Sequence, residues 1–220
     1  MELTFKLKIM SLLNELLNGP IGKQLIEGSS KQLGLNKAST AAAFGAALPM
    51  IMGAMKNNAS NSEGAGGLLK ALSNSSHSSG GLLDNLSSVL GGSNIDDNVL
   101  QDGGNILNHV FGGQTNNAAQ VIGKTSNIDP DMASQIMKMA APVVMGYLGK
   151  NAMSKNITDG NGLSGMLGSL LDGDDDYVQT ASRIQDFDNN DDTIDDLANK
   201  FKQKGGSQGI IGNLLNNLLS

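Results

Sequence analysis

Oxygen-bearing side chains alternate along the run Asp186-Phe187-Asp188-Asn189-Asn190-Asp191-Asp192. Asp186, Asp188, Asn190 and Asp192 stand at positions 1, 3, 5 and 7 of the loop that wraps a calcium ion. That spacing turns alternate oxygens inward around a hard cation, which prefers carboxylate and carbonyl ligands. Two positions depart from the pattern. Asp191 replaces the glycine that makes the sharp turn, and Leu197 stands where a bidentate Glu would close the shell. These four residues are the candidate metal ligands, with weak calcium binding as their chemistry. The plainer reading of the same run is a solvated acidic segment.

No other constellation carries comparable chemistry. His77 sits in the serine-rich stretch SNSSHSSGG and is expected to be solvated. His109 lies beside Ile106, Leu107, Val110 and Phe111, without a nearby serine, carboxylate or metal-ligand pattern to engage it. It reads as a packed histidine with a single hydrogen bond. Neither Lys23, Lys124 nor Lys150 falls in a G-x-x-x-x-G-K-[ST] pattern, so no phosphate-binding loop is present. The glycine runs at 64–67 and 159–162 follow predicted helices, whereas a dinucleotide fingerprint follows a strand. There is no H-E-x-x-H and no cysteine. The expectation is a protein that is not an enzyme, with no catalytic residue and no cofactor other than the candidate calcium.

Charge narrows the partners. The net charge is −6, yet residues 172–196 alone carry −9, leaving +3 for the rest. An acidic chain does not bind nucleic acid nonspecifically, because that binding needs a basic surface to displace counterions. Absence of cysteine fits a reducing compartment, and the expected location is cytoplasmic. The first nineteen residues, MELTFKLKIMSLLNELLNG, read as a helix and not as a secretory signal, because Asn14 and Glu15 interrupt the apolar stretch. Residues 38–55 carry no charge over 18 positions, the threshold length for a membrane span. They are mostly Ala, Gly, Ser and Thr and contain Pro49, so a buried helix is preferred, and a membrane-associated helical protein, through 38–55 or 210–220, is the lesser alternative.

The elements that must hold these residues are helical. With no Trp, 2 Tyr and 5 Phe, the core has to be assembled from Leu, Ile, Val, Met and Ala. Those side chains suit closely packed helices better than strands, which favour aromatic and β-branched residues. Leu12, Leu13, Leu16 and Leu17 share one helical face. Gly19 ends that helix and Pro20 can open the next, where a missing N–H costs nothing. Asn36 can cap a third helix, whose stripe is Phe44, Leu48, Ile51, Met52 and Met55. Residues 57–67 read as a Gly-rich loop, with a short helix starting at Leu68. Leu82, Leu83, Leu86, Val89 and Leu90 predict another helix. The stretch 172–192 reads as loosely ordered, and Ile194, Leu197 and Phe201 predict a short helix after it. Ile210, Ile211, Leu214, Leu215, Leu218 and Leu219 give the closing segment a strong apolar face.

A shift of 93 residues superimposes Ala47 on Ala140, Pro49 on Pro142, Met52 on Met145 and Gly53 on Gly146. The cap positions Asn36 and Asp129 correspond at the same offset. With only four prolines in the chain, the pairing of two of them carries weight. The expected architecture is all-α: a multi-helix body with two related halves, each containing a proline-kinked helix, joined by Gly/Ser-rich loops. Its parts are a first helical half at 10–92, a second at 93–172, an acidic linker at 173–193 and a helical tail at 194–220. Each proline should bend its helix or start it afresh, because it removes one hydrogen bond and clashes with the carbonyl four residues back. Gly53 and Gly146 then permit close packing of the halves.

Two runs resemble a known group. They are Ile106-Leu107-Asn108-His109-Val110-Phe111-Gly112-Gly113 and Met139-Ala140-Ala141-Pro142-Val143-Val144-Met145-Gly146-Tyr147-Leu148. In combination they are similar to the bacterial family of unknown function numbered 937, whose members are called YidB-like. The likeness covers about residues 10–172, with its best motifs between 103 and 149. It implies an all-α bacterial protein without an assigned activity, and it offers no catalytic residues to carry over. Members often end in an acidic D-x-D-x-D-G stretch before a short helix; residues 186–197 are similar but lack that glycine. The functional expectation is a structural or protein-interaction module, partnered by itself or by another helical protein.

Overall fold

The computed structural model describes residues 19–73, 96–171, 175–185 and 191–204, and every regular element among them is helical. The fold is all-α. The leucine runs at 12–17, 82–90 and 210–219, together with His77, lie outside the described residues.

Local chemistry sets the first boundaries. Pro20 opens α1 (Pro20–Leu33), where its fixed φ suits the first turn. Gly34 ends it in the left-handed region at φ 65°, and Leu35 N–H reaches back to Ser30 O at 3.0 Å. Ser30 O also accepts from Gly34 N–H, so this one carbonyl closes the helix end with two donors. Asn36 then caps α2 (Lys37–Ala59), its side-chain oxygen accepting from Ser39 N–H at 2.7 Å. The same junction recurs further on. Between α5 (Thr115–Ser126) and α6 (Pro130–Ser154), Asn127 takes the left-handed conformation and Ile128 N–H returns to Gly123 O. Asp129 caps α6 by accepting from Asp131 N–H at 2.8 Å. A 93-residue shift carries Ser30, Gly34, Leu35 and Asn36 onto Gly123, Asn127, Ile128 and Asp129, whereas the capped N–H differs, Ser39 in one junction and Asp131 in the other.

Helices α2 and α6 form the centre and pack on each other. The stripe expected on α2 underestimates its burial. From Thr40 to Met55 every residue but Ala42 is buried, because α1, α3 (Ser62–Ser73), α5, α6, α7 (Gly160–Leu170) and α8 (Asp175–Gln185) all pack against it. A helix apolar on all sides is stable in water only when so enclosed. This helix is long and apolar enough to cross a bilayer, with mean hydropathy 1.4, but 83% of that stretch is buried in the protein. Both proline helices run unbroken through Pro49 and Pro142, so neither begins afresh there. The surroundings are apolar: Leu48, Met50, Ile51 and Met52 beside one proline, Ala140, Ala141, Val143 and Val144 beside the other, all buried.

Two segments differ from their sequence reading. Residues 57–67, expected as a loop, belong mostly to α2 and α3, with only Ser60 and Asn61 between them. The glycines there serve close approach: a Cβ on Gly64 would run into the Asn58 carbonyl, so α3 can fold tightly over the end of α2. Within the acidic stretch expected to be loosely ordered, residues 175–185 form α8 and lie along α2. Its buried side chains, Thr180, Ala181 and Ile184, share one helical face. Helix α9 (Asp191–Lys204) packs on α5 through Ile194, Leu197 and Ala198, with Lys124 Nζ 2.8 Å from Asp195 Oδ1. Both partners of that ion pair are substantially exposed, so it orients the helix more than it stabilises it.

Candidate functional site

Helix α4 (Asp97–Phe111) carries the run with the most distinctive sequence, and it packs along α6. Asp96 caps it, accepting from Asn98 N–H at 2.9 Å. Val99, Gly103, Ile106, Leu107, Val110 and Phe111 make its buried face. Asn105, Asn108 and His109 face outward. His109 is therefore not packed among its apolar sequence neighbours. Its ring lies over the backbone of α3, where a Cβ on Gly67 would come within 2.8 Å of Nε2.

Gly103 meets the most demanding surface. Pro142 has no N–H, so the Lys138 carbonyl four residues earlier lacks the usual helical donor. The backbone of α4 approaches that carbonyl at Gly103, and a Cβ there would overlap its oxygen. A Cα–H group facing a carbonyl is a weak attraction, and here it occupies a group the proline has freed. Gly103 and Pro142 thus explain each other across two helices.

The C-terminus of α4 is a polar junction. Gly112 follows at φ 60° and ψ −137°, a conformation that favours glycine, and its N–H bonds Asn108 O. The Val110 carbonyl, one of the last four that the helix itself supplies with no donor, accepts two side-chain bonds. Asn58 Nδ2 donates at 2.9 Å from the end of α2, and Gln185 Nε2 at 2.7 Å from the end of α8. Asn57 Nδ2 donates to Gln185 Oε1 at 3.1 Å, joining the two donors' helices. Three neutral amides and one carbonyl can hold helix ends in register. They supply no proton at neutral pH and no nucleophile. Asn151, the shifted counterpart of Asn58, instead bonds Tyr147 O within its own helix.

The double variant Asn58→Ala/Gln185→Ala leaves Val110 O without either donor. It is expected to lower stability by about 1–3 kcal/mol, the penalty for a buried unsatisfied carbonyl. Each single variant should cost clearly less than half of the double, because one donor still remains. Urea denaturation of the four proteins checks this; simple additivity would count against shared acceptance.

Of the candidate calcium ligands, Asp186, Asp188 and Asn190 lie outside the described residues. Asp192 is the second residue of α9. Among the described residues no group of three or more His, Cys, Asp or Glu is arranged to hold a metal ion. The amide junction has no sequence signal that marks it, since Asn and Gln at helix ends look like ordinary solvated positions.

A family model described as a bacterial protein of unknown function (DUF937) matches residues 15–151, a span that begins before α1 and runs into the end of α6. No curated protein and no solved structure matches the chain.

Proposed function

The chain belongs to DUF937, a bacterial family of unknown function, and on that premise we propose a non-enzymatic structural or protein-interaction module that associates with itself. The observation that carries this reading is the closing apolar face, Ile210, Ile211, Leu214, Leu215, Leu218 and Leu219. It belongs to a chain whose described helices already cover one another. Among the described residues the large exposed hydrophobic side chain is Met153, at 59%. Leucine pairs repeating every four residues make a helix face suited to another helix. The reducing environment suggested by the lack of cysteine makes a cytoplasmic setting the natural one for such a module.

Light scattering tests it. The full chain is expected to give a multiple of the monomer mass, and a chain ending at Gly206 the mass of one copy. Equal masses for the two would overturn the role of the closing segment.

A second reading rests on the alternating oxygens of Asp186, Asp188, Asn190 and Asp192, which lead from α8 into α9. Weak calcium binding there is expected to give a saturable heat at millimolar calcium that Asp186→Asn/Asp188→Asn abolishes. Titration without heat in the unaltered protein would remove this reading.

A further inference from the structure

We draw no further inference here: the strongest candidate, the face of α2 that α8 covers with Thr180, Ala181 and Ile184, carries nothing because no observation shows what other than α8 would occupy it.

Discussion

Gly103→Ala will destabilise the protein by about 3 kcal/mol, although alanine is the better helix former by about 1 kcal/mol. The added methyl would overlap the Lys138 carbonyl oxygen and stand 2.9 Å from Lys138 Cα. Both atoms belong to the backbone of α6, in the turn before Pro142, so no side chain can rotate out of the way. Relief requires α4 to withdraw from α6, and that withdrawal loosens Val99, Ile106, Leu107 and Val110 together. Overpacking against backbone therefore outweighs propensity. The neighbouring glycine provides the control. A Cβ on Gly104 would meet only Lys138 Cε at 3.9 Å, an ordinary contact with the end of a flexible chain. Gly104→Ala should be neutral or stabilising by up to about 1 kcal/mol. Denaturant unfolding of both variants decides the matter. If Gly103→Ala is as stable as Gly104→Ala, the close crossing of α4 and α6 is wrong.

Phe44→Ala is expected to cost about 3–5 kcal/mol, the usual range for removing a buried aromatic side chain. Phe44 is fully buried in the middle of α2, on a helix enclosed by neighbours on every side. The chain has only 5 Phe and no Trp, so few other side chains could fill the space it leaves. A buried site of this kind collapses poorly, since the surrounding helices are already in contact. The melting temperature should fall by roughly 10 °C for a protein of this size. Met153→Ala, at the exposed end of α6, should change stability by less than about 0.5 kcal/mol. A Phe44 variant that melts within a degree or two of the parent would mean that α2 is not the centre of the core.

Several features were readable from residue types because their causes are local. Pro20 at a first turn and Asn36 and Asp129 as caps each depend on the backbone within a few residues. A 3.6-residue period and a composition poor in aromatic and rich in small residues are enough for the all-α class. The family likeness rested on the runs at 106–113 and 139–148, and the matched span contains both.

The misreadings have physical reasons too. Residues 57–67 look like a loop because glycine weakens isolated helices. In the folded protein the lost propensity is offset where α3 folds over α2, and Gly64 is what lets the Asn58 carbonyl come near. The acidic stretch looks disordered because its charge is concentrated. Yet Thr180, Ala181 and Ile184 need only one apolar surface to order them, and α2 supplies it. That surface is invisible in the sequence of α8 itself.

The candidate chemistry divides in the same way. Residue types and spacing alone singled out Asp186, Asp188, Asn190 and Asp192, because oxygen alternation is a local pattern. They also determined the helical class, the caps and the proline positions. Only the tertiary structure decided that α2 is enclosed on all sides and that His109 turns outward over Gly67. It alone brought Gly103 against the carbonyl that Pro142 leaves without a donor, and joined Asn57, Asn58 and Gln185 at Val110 O. Most of those contacts join surfaces more than thirty residues apart in the chain, and short-range propensity carries no information about that choice.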